Sequence, residues 1–208
     1  MRSKFFPGQS SFSTSGTRYK LSVYNINADS SASPDGGLKP PAGDSVTRRG
    51  FIGVKCLVVY DSVYGNTKTV AGTIAEQIRS EGHSAEVRSA RDGLPEKLDA
   101  DLVFIGSPTR MARMTRRAKN SVKSLRKADW GGRPIVFFDT VMPKVEQEKG
   151  RWSMTASQSM HDMAKGLGLN ADARLLHVEV TGIKGPLAEN ATEKAKGFTH
   201  DILSSIGR

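Results

Sequence analysis

The sequence predicts an α/β fold: a five-stranded parallel sheet in the order 2-1-3-4-5, with helices on both faces making three layers. Three observations carry this. VKCLVVY (54–60), DLVFIGS (101–107) and RPIVFFD (133–139) are compact apolar runs without polar alternation, the pattern of strands covered on both faces. Other stretches repeat apolar residues at three- and four-residue spacing, the period of an amphipathic helix. The two patterns take turns along the chain, and strand–helix–strand order implies parallel strands joined by right-handed crossovers.

The elements follow in order. After the strand at 54–60, TKTVAGTIAEQIRSEG puts Val70, Ile74 and Ile78 on one helical face with Ala71 and Ala75 beside them, and Gly82 stops the helix. SAEVRSA (84–90) is a weaker strand and 101–107 a strong one; TRRAKNSVKSLRKA then forms a helix with Ala118, Val122 and Leu125 inward. Residues 133–139 are the fourth strand, 153–167 a Met-rich helix, and ARLLHVEV (173–180) the fifth strand. A last helix, from Leu187 to Ile206, carries Ala191, Ala195, Phe198, Ile202 and Leu203. The order 2-1-3-4-5 reverses between strands 1 and 3, so ligand-binding loops are expected at 61–67 and 107–114.

The folded domain is expected over residues 54–208. Residues 1–53, which include SSFSTSGT and SSASPDGGLKPPAGDS, are too poor in apolar side chains to form a core and are expected to be a disordered, Ser/Gly/Pro-rich basic tail. A translation start near Val54 is the alternative. TRRGFIG (47–53) looks like a twin-arginine export motif, but Lys55 interrupts the apolar stretch such a signal needs. MRSKFF is likewise followed by SFSTSGTRYK where an import signal would turn apolar. No run approaches the roughly 20 apolar residues of a membrane-spanning helix. Cys56 is the single cysteine, which excludes an intrachain disulfide and suits a reducing, cytoplasmic compartment. The net charge is +10, with seven Lys/Arg against three Asp/Glu in residues 1–53 and twenty-four against eighteen in the remainder.

The turn between the first strand and first helix, YDSVYGNTKT (60–69), is built for an anion. Backbone N–H groups and the helix dipole point outward there, Ser62 and Thr67 add hydroxyls, Asn66 adds an amide, and Gly65 admits a close approach. The turn lacks the GKS/GKT ending of a triphosphate loop and lacks GxGxxG, so a monophosphate fits best. Helix capping by Ser62 and Thr67 is the alternative reading, and it leaves Gly65 and Asn66 unexplained.

VVYDSVYGNTKTVA resembles the FMN phosphate-binding signature of the flavodoxin family, carried here by Tyr60, Ser62, Gly65, Thr67 and Ala71; the likeness in element order covers residues 54–206, including GPL at 185–187. The resemblance implies a flavodoxin-like fold with FMN as cofactor. By it, Ser62, Val63, Tyr64, Gly65, Asn66 and Thr67 would hold the phosphate, while Pro108, Thr109, Arg110 and Met111, with Asp139, Thr140, Val141 and Met142, would flank the isoalloxazine. Many flavodoxins stack an aromatic residue on the flavin from the loop after strand 4; here that loop is DTVMPKVEQEKGRW, with Trp152 far along it.

The expected function is an electron-transfer flavoprotein, because no side chain reads as a catalytic acid or base. One alternative is a small FMN-dependent oxidoreductase acting on NAD(P)H and quinones; another is a cofactor-free binding module that offers a basic face to acidic partners. That face comes from Arg110, Arg113, Arg116, Arg117, Lys119, Lys123, Arg126 and Lys127, with no acid among residues 109–127. Arg110 and Arg113 would raise the flavin potential and steer an acidic redox protein or NAD(P)H toward the site, unless the stripe is merely a solvated face. No aromatic residue is interleaved with the run, which disfavours nucleic acid. His83, His161, His177 and His200 have no metal-ligand spacing with one another or with Cys56, so no metal is expected. Cys56, Met111 and Met114 are expected to be packing residues.

Overall fold

The computed structural model describes residues 53–128, 130–143 and 154–206. The segment expected to be a tail, apart from Gly53, and Trp152 lie outside them. The elements are β1 (Lys55–Tyr60), α1 (Asn66–Ser80), β2 (Ser84–Ser89), β3 (Leu102–Pro108), α2 (Arg116–Lys127), β4 (Ile135–Val141), α3 (Ala156–Gly166), β5 (Ala171–Glu179) and α4 (Ala191–Ile206). The sheet order is β2-β1-β3-β4-β5, with every neighbour parallel. β2 is an edge strand with little burial, which accounts for its weak apolar signal.

Alternating strand residues divide the core into two layers. Val58, Phe104, Val136 and Phe138 project to one side, where α1 and α4 cover them with Ile74, Ile78 and Ile202. Leu57, Val103, Ile105 and Phe137 project to the other, against Val122, Leu125 and Met160 of α2 and α3. Each fully buried side chain of this size contributes about 1.5–3 kcal/mol, so both helix layers are held chiefly by the central strands. Trp130 closes the second layer, its indole N–H donating to the Arg133 carbonyl at 2.9 Å while the Arg133 guanidinium stacks 3.8 Å from the ring centre.

Two helix starts differ from expectation. α3 begins at Ala156 because the Thr155 hydroxyl accepts from the Gln158 amide and caps the first turn. α4 begins at Ala191, four residues after Leu187. Leu187 instead forms an antiparallel bridge with Val180, and the Ala188 amide donates to the Glu179 carbonyl at 2.9 Å. The chain thus runs extended beside the end of β5 before it turns into helix.

Among the described residues, no helix is long and apolar enough to cross a membrane. The carboxyl ends of β1 and β3 lie side by side at the point where the strand order reverses. Both connections that leave this point carry the residues singled out in the sequence.

Candidate functional site

A cleft of about 290 Å³ opens there, near the lower bound of the roughly 300–1,000 Å³ usual for small-molecule sites. The turn after β1 supplies one wall with Ser62, Val63, Tyr64, Asn66 and Thr67. The segment after β3 supplies another with Pro108, Thr109, Arg110 and Met111, and Thr140 and Met142 come from the end of β4. Val180 and Ile183, after β5, complete it.

The first turn of α1 is left open. Its N-cap is Gly65 at φ 96°, a left-handed conformation that favours glycine, and no side chain caps the helix. By contrast, threonine hydroxyls cap α2 (Thr115 to the Ala118 amide) and α3. Ser62 and Thr67 therefore do not serve as caps. The Ser62 hydroxyl accepts from the Gly65 amide at 3.1 Å and shapes the turn. The Thr67 hydroxyl is paired with that of Thr140 at 2.9 Å, and both residues are buried. Whichever of the two donates, the other keeps a hydroxyl proton to offer the cleft. Asn66 is partly committed, since its side-chain amide donates to the Lys184 carbonyl at 3.1 Å and ties the turn to the loop after β5.

Thr67→Val is expected to cost about 1–2 kcal/mol, because it strands a buried hydroxyl on Thr140. In urea titrations the Thr67→Val/Thr140→Val double variant should be less destabilised than the sum of the singles, since it removes both partners together.

The second wall is held by a tight hairpin. The amides of Arg110 and Arg113 each donate to the other's carbonyl at 3.0 Å, while Met111 and Ala112 sit at φ 50° and 57°. Two positive φ values in a two-residue turn are usual for Gly and Asn, and for Met and Ala they store about 1–2 kcal/mol per residue. The turn throws Met111 outward at 80% exposure, so the expectation that it packs is overturned, whereas Met114 is partly buried against the second core layer.

Asp139 is the principal correction. It does not line the cleft, because the pleat sends Thr140 toward α1 and turns Asp139 the other way, where it is fully buried. Its carboxylate accepts from the Ser157 amide and hydroxyl, both at 2.9 Å, and from the Thr109 hydroxyl at 3.2 Å; its second oxygen lies 3.0 Å from Nδ1 of His177. The Thr109 oxygen also accepts from the Ala156 amide at 2.8 Å. One carboxylate thus joins the ends of β3, β4 and β5 to the start of α3, and it fixes a cleft residue from behind. Val141 shares Asp139's parity and is likewise absent from the lining, as is Gly65, whose part is to shape the turn as the N-cap of α1.

Arg110 is the cleft's one formally charged lining residue among those described, and it makes the site electropositive. Arg113 is exposed but does not reach the lining. Nearby, Asp61 is buried with its Oδ1 lacking a hydrogen bond and lies 3.9 Å from the Arg117 guanidinium. Cys56 is buried as expected, and burial pushes its thiol up to about 12, so it stays protonated at neutral pH. Among the described residues, no three His, Cys, Asp or Glu side chains converge to hold a metal.

Sequence reasoning missed Val180, Ile183 and the Asp139–Ser157–His177 cluster. The first two were within reach, because ligands in such sheets gather at the carboxyl ends of strands and β5 ends at Glu179. Nothing in the sequence pairs Asp139 with His177.

Comparison with known proteins agrees with this architecture. The model of the flavodoxin domain matches residues 57–187. A curated NAD(P)H dehydrogenase (quinone) from Gluconacetobacter diazotrophicus is 32% identical over an alignment covering 29% of this chain and 41% of that one, so the match spans under half of the relative. Among solved structures, a flavodoxin from the domain Archaea has a TM-score of 0.59 at 19% identity, covering 74% of this chain and 99% of its own. Oxidised flavodoxin 2 from Bacillus cereus has 0.56 at 19%, covering 73% and 99%. The rubredoxin oxygen:oxidoreductase of Desulfovibrio gigas has 0.58 at 18%, covering 73% of this chain and 36% of that one.

Proposed function

The chain belongs to the flavodoxin family, and on that premise we propose that it binds FMN and works as an electron-transfer flavoprotein. The open first turn of α1 carries this reading. A helix N-terminus without a side-chain cap, facing a cleft lined by hydroxyls, calls for an anion that brings its own acceptors.

The residues present fit such a group. Ser62 through Thr67 would hold the phosphate with backbone amides and the Thr67 hydroxyl, without a charged side chain in the turn before Lys68. Pro108 to Met111, with Thr140 and Met142, would border the ring. Tyr64, Met111, Met142 and Ile183 offer it apolar and polarizable contacts, and Arg110 supplies positive charge at the rim. When bound, FMN supplies the electron-accepting ring chemistry. The chain's own part is to exclude water along the apolar side, to fix Thr109 through Asp139, and to set the local potential through Arg110.

Among the described lining residues there is no His, Cys, Lys, Asp or Glu to serve as a general acid or base. This favours electron transfer over substrate protonation. A second reading, oxidation of NAD(P)H with quinone reduction, is favoured by the likeness to the Gluconacetobacter diazotrophicus dehydrogenase. A cytoplasmic location accords with either, given one buried cysteine.

The test is an absorption spectrum of the purified full chain before and after FMN is added and the excess removed by gel filtration. Retained flavin bands are expected. A colourless protein after reconstitution would overturn the proposal and leave a binding module. With bound flavin, oxidation of NAD(P)H by added quinone at steady turnover would decide for the enzyme.

A further inference from the structure

The cations of α2 are arranged at a cost to the helix itself. Arg116, Arg117, Lys119, Lys123, Arg126 and Lys127 are all exposed, while Ala118, Ser121, Val122 and Leu125 on the opposite face are buried. The first turn holds no acid and has Arg116 and Arg117 at its start, against the positive end of the helix dipole. Charges of the wrong sign there are destabilising. Like charges three and four residues apart, as at 116/119, 119/123 and 123/127, add further repulsion. Among the described residues, the one ion pair made by this stripe is the 3.9 Å contact of Arg117 with Asp61. The helix is held by its apolar face; Arg126 and Lys127 in its last turn suit the dipole, whereas the cations of its first turn and centre work against it. A surface kept under those terms is best explained by an anionic partner.

The location of the stripe says which partner. It begins at the Arg110–Arg113 hairpin, whose Arg110 lines the cleft, and runs along α2 for about 18 Å. At the same mouth stand Met111 at 80% exposure, Ile183 at 74%, Met142 at 48% and Tyr64 at 47%. An apolar centre flanked by charge is the anatomy of a protein–protein contact. Nucleic acid is less suited, because the stripe bears no aromatic residue for stacking. A membrane surface is less suited as well, because the apolar face of α2 is spent in the core and has nothing to insert.

We propose that α2 and the 110–113 hairpin form the docking surface for an acidic one-electron carrier protein, with the carrier's anionic patch along α2 and its redox centre over the cleft mouth. This rests on the flavin reading above. The basic stripe sets the encounter rate and orientation, and the apolar rim closes the contact.

The experiment uses the full chain loaded with FMN and a reduced, acidic plant-type [2Fe–2S] ferredoxin as probe. One electron leaves the ferredoxin cluster and reduces the flavin. Its rate is followed by stopped flow from about 0.01 M to about 1 M salt, over which the Debye length falls from about 30 Å to 3 Å. The expected result is a rate constant that falls at least about tenfold across the series. Arg116→Gln/Lys119→Gln/Lys123→Gln should slow the low-salt reaction about tenfold and flatten the salt dependence. A control with the same net charge, Arg91→Gln/Lys97→Gln/Lys165→Gln, changes exposed cations in the β2–β3 connection and on α3 and should keep most of the rate.

Equal slowing in both variants, or a rate that rises with salt, would overturn the docking surface. So would tighter retention of single-stranded DNA than of poly-L-glutamate at physiological salt, which would assign the stripe to nucleic acid. If the chain retains no FMN, the flavin reading fails separately, and poly-L-glutamate binding to the full chain takes over as readout. Loss of that binding in the α2 variant, but not in the control, would sustain the acidic partner. Equal binding by both variants would remove it.

Discussion

Asp139→Ala is expected to destabilise the domain by about 3–5 kcal/mol, among the largest single effects available to it. The carboxylate is fully buried and accepts from the Ser157 amide, the Ser157 hydroxyl and the Thr109 hydroxyl, with His177 against its second oxygen. Alanine leaves the Ser157 amide and the Thr109 hydroxyl without an acceptor where little water can replace it, and each stranded donor costs about 1–3 kcal/mol before relaxation. His177→Ala should cost much less, because that side chain is 40% exposed and Asp139 keeps its three other donors. Urea titrations of the two variants test the ranking. Equal losses would mean that the histidine, rather than the Ser157 and Thr109 donors, satisfies the carboxylate. Because Thr109 is fixed from behind by Asp139, the Asp139→Asn variant, if it folds, should also bind FMN at least about tenfold more weakly. Thr109→Val should reproduce that loss with a smaller loss of stability.

Gly106→Ala should be comparably severe for a purely steric reason. Gly106 lies on the central strand β3, opposite Phe138 of β4, and a Cβ built on it would fall within the Phe138 ring. Phe138 is itself fully buried against Phe104, Val136 and Val178, so the ring has nowhere to go without moving β4 or α1. Overpacking of a dense core costs typically about 1–3 kcal/mol, and the fixed position of both strands puts this change at about 3 kcal/mol. Phe138→Leu should recover part of the loss in the Gly106→Ala background while costing stability alone. A coupling of about 1 kcal/mol or more in that double-mutant cycle is the expected sign of direct contact. Strict additivity would show that the alanine acts elsewhere.

Both changes lie beside the cleft, and neither position signals its role in sequence. DLVFIGS and RPIVFFD announce strands by unbroken apolar character, and the same character hides which residue faces which helix layer. An alternating strand would have shown its inner face, whereas a strand covered on both faces has no polar side to read. Asp139 was therefore expected among the cofactor residues with Thr140, and the pleat separates the two: Thr140 meets Thr67, and Asp139 meets Ser157.

Local patterns in the chain were enough for the strand and helix order, the parallel sheet, the inward faces of α1, α2 and α4, and the turn at 62–67. These depend on local periodicity and on residue types with narrow conformational uses, such as Gly65 at positive φ. Tertiary structure alone decided the remainder. It left α1 without a side-chain cap, committed the Asn66 amide to Lys184, turned Met111 outward through a strained hairpin, and delayed α4 to Ala191 by holding Leu187 against Val180. It also gathered Thr109, Ser157 and His177 around the buried side chain of Asp139, the four spanning 69 positions of the chain. The physical reason is common to all of these: each depends on which groups from distant segments remain to satisfy a hydrogen bond or fill a space, and that is settled only when the layers close.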